Sequence, residues 1–106
     1  MWAVSGNDLQ MAEGDFGIQL PVTVNGTTLT ASDSLKITFK TRKNGQTILE
    51  KEFTDISQNT VNLELTAAES ALFPVGMYVY SLDWYQNGVF MCNIVLCAPF
   101  KVVDKA

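Results

Sequence analysis

Residues 61–85 read VNLELTAAESALFPVGMYVYSLDWY, and this stretch decides the fold. Its first five residues alternate between apolar and polar side chains, which is typical of a half-buried strand. Thr66 and Glu69 have the spacing of a capping box, which predicts a helix of about two turns that ends at Pro74. Beyond the proline, apolar side chains at even positions predict a second strand whose inward residues are Tyr78, Tyr80, Leu82 and Trp84.

The same alternation of apolar and polar side chains recurs along the rest of the chain. Residues 16–24 have apolar side chains at every even position, and Pro21 within them favours an edge strand because proline cannot donate to a ladder. Asn-Gly pairs at 44–45 and 87–88 are typical of tight hairpin turns. Alternating strands are also predicted at 9–11, 35–40, 46–53, 89–98 and 100–103. About seven strands and one short helix predict an all-β fold, an immunoglobulin-like antiparallel β-sandwich that occupies residues 1–106 as a single domain.

Composition narrows the classes of partner. Charged residues make up 17% of the chain, and the formal net charge is −4. Lys40, Arg42 and Lys43 form the one basic cluster, beside a hairpin turn, where we interpret it as a solvated strand end. Binding to nucleic acid or to an anionic membrane is therefore not expected. The sequence has no apolar run of about 20 residues and no pattern of a signal peptide, so we expect a cytosolic product.

The two cysteines, Cys92 and Cys97, are five residues apart on one predicted strand. An extended span of that length, about 16 Å, is too long for a disulfide, which needs Cα atoms within about 7 Å. We expect both to be free, buried thiols that act as small apolar side chains, as in a reducing compartment.

Residues for catalysis are scarce. The sequence contains no histidine, which excludes Ser-His-Asp and Cys-His chemistry. Glu50 and Glu52 share a strand face at a spacing that a glycosidase pair could use, but their charged surroundings favour a solvated face. The aspartates at positions 33, 55 and 83 lack the spacing of a calcium loop. We therefore expect no catalytic residue, no metal and no cofactor, and a protein that is not an enzyme.

The stretch Leu63–Tyr80 resembles the N-terminal immunoglobulin-like domains of phage baseplate upper proteins and related phage tail proteins. Asn87-Gly88 and the closing Phe100-Lys-Val102 fall at matching places, and residues 12–15 fit the opening pattern of the family. Ala98-Pro99 departs from the glycine that the family often has there. The resemblance implies a structural protein that contacts copies of itself and neighbouring tail or baseplate proteins. It also implies assembly in the bacterial cytoplasm and a final place in the virion.

Tyr78 lies two residues after Gly76, at the start of a strand that follows a helical turn. This position is typical of a tyrosine corner, in which the phenol bonds back to nearby backbone. A role in ligand binding is the alternative interpretation.

The last hairpin carries apolar side chains on both faces, whereas a sandwich strand normally shows one face to water. We expect another subunit, in a homo-oligomer or from a neighbouring protein, to cover it, and the predicted interface residues are Trp84, Tyr85, Val89, Met91 and Val95. In the alternative, the short helix or an N-terminal arm with Trp2 and Val4 covers it. A different function on the same scaffold, a carbohydrate- or surface-binding module, would use Trp84, Tyr85 and Phe90.

Overall fold

The computed structural model describes residues 2–26, 28–54, 56 and 58–104. In this part of the chain there are eight strands and one short helix, where the sequence pattern predicts about seven strands. The elements are β1 (Ala3–Ser5), β2 (Asp8–Ala12), β3 (Leu20–Thr23), β4 (Asp33–Lys40), β5 (Thr47–Phe53), β6 (Thr60–Leu63), α1 (Ala67–Ser70), β7 (Gly76–Gln86) and β8 (Val89–Val103).

The strands form two sheets. The large sheet has the strand order β1-β2-β8-β7-β4-β5, and β3 pairs with β6 in a small sheet. Within the large sheet β2 runs parallel to β8, with Leu9 opposite Phe100, and the other pairs are antiparallel. Buried side chains from both sheets meet in one hydrophobic core. The prediction of an all-β fold with packed sheets is therefore confirmed at this level.

The centre of the core comes from β4. Its residues Leu35, Ile37 and Phe39 are at most 3% exposed, so the alternation predicted for residues 35–40 is confirmed. The ring of Phe39 lies 5.3 Å from that of Phe73 and 5.0 Å from that of Phe100, centroid to centroid. These contacts join the large sheet to the segment that follows α1, because Phe73 enters the core from there.

The capping box forms as predicted. The Thr66 side chain accepts a 3.1 Å hydrogen bond from the backbone N–H of Glu69, and the Glu69 carboxylate accepts a 2.9 Å bond from the Thr66 N–H. The helix is shorter than the predicted two turns and ends at Ser70. The reason is Phe73, which is fully buried: the chain must leave the helix within one turn to insert this ring into the core.

The predicted strand over residues 16–24 is only partly correct. The structure has a strand only at Leu20–Thr23, and Phe16 and Ile18 are 57% and 42% exposed rather than inward. Gly17 between them has a φ of 74°, which breaks the extended conformation that the alternation would need. Pro21 lies in the small sheet, where β3 pairs with β6 alone, in agreement with the predicted edge position.

Candidate functional site

The first half of β8 is a free sheet edge. Pairing of β2 with β8 covers only Phe100–Val103, which lie opposite Leu9–Ala12. From Val89 to Pro99 the strand has β7 on one side, and no other strand of the described residues pairs with its second side. This part of β8 therefore presents unpaired backbone groups, the usual template for pairing with another chain. We call Val89–Pro99 the β8 edge.

Three β-bulges shape the β8 edge. Trp84 faces Cys92 while Tyr85 faces Phe90, so Met91 is an extra residue on β8. The register shifts by one residue at two more places, around Ile94 and around Leu96 and Cys97. Cys97 has a φ of 51°, and its N–H donates to the hydroxyl of Ser81. The predicted strands at 89–98 and 100–103 are one strand, and Pro99 lies within it.

The bulges leave large apolar side chains in solvent. Val89 is 63% exposed, Phe90 49%, Met91 44% and Leu96 67%. The sequence has no charged residue between Val89 and Pro99. Isolated exposed apolar residues are ordinary, but four of them along one uncharged half-strand whose second side is unpaired are typical of a contact site. The apolar surplus of the predicted hairpin is therefore present on the surface.

The opposite edge of the large sheet, β5, is protected. Lys51 on this strand reaches inward, donating to the Glu64 carbonyl and at 2.8 Å to the Glu69 carboxylate. Glu50 and Glu52 beside it are exposed. Inward-pointing and flanking charges are common devices against edge-to-edge pairing. The β8 edge carries no such charge, and what disfavours regular pairing there are its three bulges and Pro99, so the two edges of the same sheet differ in chemistry.

The five predicted interface residues do not share one face. Val89 and Met91 are exposed on the β8 edge, and Val95 is half-buried beside them. Trp84 packs against the core, and its Nε1 donates to Asp33. Tyr85 lies against Phe90, with ring planes at 74°. Phe90 and Leu96 are exposed on the β8 edge but are not among the predicted interface residues. The feature of the sequence that indicates them is that both faces of the last hairpin are apolar.

A row of side chains in contact crosses the outer face of the large sheet towards the β8 edge. Lys36 lies 3.4 Å from the Glu50 carboxylate and 5.3 Å from the centre of the Tyr85 ring. The hydrogen bond with Glu50 is the main reason that the pKa of Lys36 is raised, and the electrostatic interaction with Tyr85 adds to it. The row Glu50–Lys36–Tyr85–Phe90 therefore joins the protected edge to the β8 edge.

An apolar cleft opens between the sheets behind the β8 edge. Its volume is about 320 Å³, within the range of ligand pockets, roughly 300–1,000 Å³. Ile37, Leu63 and Leu82 form a buried floor, and none of the described residues that line the cleft is charged. Its walls are strand β3 on one side, with Leu20 to Val24, and Ile94 and Val95 on the other. Among the described residues β3 pairs only with β6 and this part of β8 only with β7, so each of the two strands at the cleft has one unpaired edge.

The N-terminal arm closes a different part of the sandwich. Trp2 stacks 5.9 Å from Phe100, and its Nε1 donates to the Ile18 carbonyl at 3.0 Å. β1 then pairs with β2, and Val4, 54% exposed, only lines the cleft. The arm does not cover the exposed side chains of the β8 edge, because those side chains keep their solvent exposure in its presence.

Tyr78 lies where β7 begins. Its hydroxyl donates a 2.6 Å hydrogen bond to the Pro74 carbonyl, and its ring meets Phe73 edge to face at 5.3 Å. Burial raises the pKa of Tyr78, and the nearby Glu13 charge adds to the effect. The Tyr80 hydroxyl donates to the Asn7 carbonyl and so ties β7 to the β1–β2 turn. Burial also raises the pKa of Tyr80.

The acidic candidates lie apart from one another. Asp33 is buried and accepts from Thr30 and Trp84, Asp83 accepts from Asn93, and Asp55 lies outside the described residues. Glu50 pairs with Lys36. Across the described part of the chain no three Cys, Asp or Glu side chains come together as a metal site. No helix in that part is long and apolar enough to cross a membrane.

The cysteines are free, as expected, but the expected burial is wrong for Cys92. Cys92 is exposed and Cys97 is half-buried. The cause is again the bulged edge, because a regular strand packed on both sides would have covered position 92.

Comparison with models of protein families, with curated protein sequences and with solved structures finds no match for this chain. The function must therefore be argued from the geometry of the β8 edge and the cleft.

Proposed function

We propose that this domain is a structural or assembly module that works through contacts with other protein chains, and that its sandwich is of the immunoglobulin-like kind. The single observation that carries the proposal is the β8 edge, an uncharged segment that pairs with β7 on one side, has no strand partner on the other among the described residues, and carries four exposed apolar side chains. In water such a strand is an aggregation hazard unless a partner covers it.

The strand arrangement supports the immunoglobulin-like assignment. An early strand, β2, pairs in parallel with the last strand, and β3 pairs with β6 across the core from β4 and β7. The resemblance of Leu63–Tyr80 to phage baseplate and tail domains extends the proposal to a phage or prophage tail or baseplate. Tyr78, bonded to Pro74, would serve in such a fold as the tyrosine corner that holds the start of β7.

Contact with protein fits the surface better than contact with a glycan. A sugar-binding face needs flat, exposed aromatic rings, but Trp84 packs on the core and the rings of Tyr85 and Phe90 stand at 74° to one another. Few residues are available for catalysis, since the sequence has no histidine and the carboxylates of Asp33, Glu50 and Glu69 have protein partners.

The proposal is tested with the products of the genes beside its own. Each is co-expressed with the wild-type chain, with Met91→Lys and with Met77→Lys, and complexes are measured by size-exclusion chromatography. Met77 is the matched control, since it is 60% exposed on β7 and pairs with Lys101, near the C-terminal end of β8. We expect a complex, with a second copy or with a neighbouring tail protein, that Met91→Lys weakens and Met77→Lys leaves intact.

Two results would count against the proposal. The first is a chain that binds neither itself nor any product of its gene neighbourhood. The second is saturable quenching of its tryptophan fluorescence by an oligosaccharide, which would favour the carbohydrate-binding module instead.

A further inference from the structure

We propose that the partner of the β8 edge is the same edge of a second copy, running antiparallel about a two-fold axis near Asn93. This inference rests on the proposed function and names the occupant of its contact site. In this arrangement the apolar side chains of each copy also cover the cleft of the other, because Ile94 and Val95 belong both to the edge and to the cleft wall.

The backbone points to a polypeptide as the occupant. Two free strand edges, those of β3 and β8, flank the mouth of the cleft. An occupant that displaces water from these edges must replace its hydrogen bonds to the unpaired N–H and C=O groups, which a strand does and an acyl chain does not. The three bulges break the regular ladder, so we expect a short run of backbone bonds and a contact made mostly by side chains.

Charge favours a second copy. Each chain carries a formal net charge of −4, so two copies repel at most surfaces. The sequence of the β8 edge contains no charged residue, and the cleft has none among the described residues that line it. The edge itself therefore brings no charged residue into the contact, and the carboxylate nearest to the proposed axis is that of Asp83, which is held by its hydrogen bond from Asn93. The edge is also complementary to itself: antiparallel pairing about Asn93 places the exposed Phe90 of one copy opposite the exposed Leu96 of the other.

The surface area that the two copies bury sets the expected affinity of the dimer. The exposed parts of Val89, Phe90, Met91 and Leu96 in two copies would bury on the order of 800 Å² in total, below the size of standard stable interfaces. We therefore expect a weak dimer that forms at micromolar or higher concentration rather than a permanent one.

The test is sedimentation velocity of the whole chain from about 1 µM to about 1 mM, the range of dissociation constants open to a small contact. We expect a shift from monomer to dimer. Met91→Lys should weaken the dimer by roughly tenfold or more, because an unpaired ammonium would be buried in an apolar contact. Met77→Lys should change the dissociation constant of the dimer by less than about twofold, because it adds an exposed charge far from the contact.

Cys92 gives a second readout of the geometry. It is exposed and adjacent to the proposed axis, so a short bis-maleimide should link two copies, and Cys92→Ser should abolish the link. Circular dichroism checks that each variant folds. If Met91→Lys does not fold, Leu96→Lys replaces it, because Leu96 is 67% exposed and the change places no charge in the core.

Three results would overturn the inference. They are a monomer at every concentration, a dimer that neither lysine variant on the edge weakens, and a dimer that Cys92 cannot cross-link. If, in any of these cases, a neighbouring gene product binds the wild-type chain and Met91→Lys abolishes that binding, the proposed function stands and only the occupant of the edge is different. If no neighbouring gene product binds the edge either, both the inference and the proposed function are contradicted.

Discussion

The indole Nε1 of Trp84 donates a 2.9 Å hydrogen bond to Oδ1 of Asp33, which is only 2% exposed at the start of β4. The other carboxylate oxygen, Oδ2, accepts from the backbone N–H of Thr30 at 2.6 Å. Two short donors thus satisfy a carboxylate that would otherwise be costly to bury. They also explain why Trp84 points inward: β4 and β7 are paired there, and the indole finds its partner on β4.

The first prediction concerns Asp33→Asn. An amide has one acceptor oxygen, so its NH₂ group must face either the Trp84 indole or the Thr30 N–H, donor against donor. We expect a lower melting temperature and an altered near-ultraviolet circular dichroism signal from Trp84. Asp8→Asn, at an exposed carboxylate, is the control and should leave both unchanged. An unchanged melting temperature in Asp33→Asn would show that the buried bonds contribute nothing to stability.

The second prediction is the pH dependence of that contribution. The Thr30 N–H, and then the Trp84 indole, lower the pKa of Asp33 below its usual value. The folded state therefore favours the ionised form. The stabilisation is complete above the unfolded pKa, about 3.9, and is lost as pH falls through the lower folded value. The difference in melting temperature between wild type and Asp33→Asn should shrink as pH is lowered from about 6 to about 2. A difference in melting temperature that stays constant over this pH range would contradict the prediction.

The third prediction tests the junction of α1 with β5. Thr66→Ala removes the capping acceptor and should cost about 1 kcal/mol, or roughly 5 °C in melting temperature. Partial burial works to raise the pKa of Glu69, but the bonds from Lys51 and Thr66 outweigh it and the net shift is downward. Glu69→Gln keeps an acceptor for the Thr66 N–H and loses the charge attraction to Lys51, so it should cost less, about 0.5 kcal/mol. The reverse order of the two effects in thermal unfolding would contradict this account.

The fourth prediction concerns Tyr78→Phe, which removes the hydrogen bond to the Pro74 carbonyl and keeps the ring against Phe73. We expect a loss of about 1 kcal/mol at neutral pH. Because burial raises the pKa of Tyr78, the neutral phenol favours the folded state. Its contribution is complete below pH 10 and is lost as pH rises through the higher folded pKa. In urea unfolding, the stability of the wild type should approach that of the variant once the pH exceeds the folded-state pKa of Tyr78. Equal urea midpoints of the two proteins at pH 7 would contradict the prediction.

Alternation and capping could be predicted from the sequence because both are local. Leu35, Ile37 and Phe39 lie in a regular strand, and the Thr66–Glu69 box lies within one helical turn, so neighbouring residues determine them. The bulges of β8 depend on register against β7, which no two-residue pattern encodes. The predicted interface included Trp84, although the alternation itself correctly places this residue inward, and left out Leu96, which is the most exposed large apolar residue on the edge.

The last prediction is a stabilising substitution at Ser70. This residue ends α1 and is 2% exposed, and its hydroxyl oxygen is the one buried side-chain polar atom of the described residues with no hydrogen-bond partner there. Burying an unpaired hydroxyl costs free energy, and alanine has the higher helix propensity. The removed atom is small, so the cavity left behind costs little. We therefore expect Ser70→Ala to raise stability by about 0.5–1 kcal/mol in thermal and urea unfolding. Ser70→Val, which adds volume to a packed site, should lower stability instead, because overpacking forces its neighbours apart. A loss of stability in Ser70→Ala would mean that the hydroxyl has a partner, such as an ordered water molecule, that contributes to the fold.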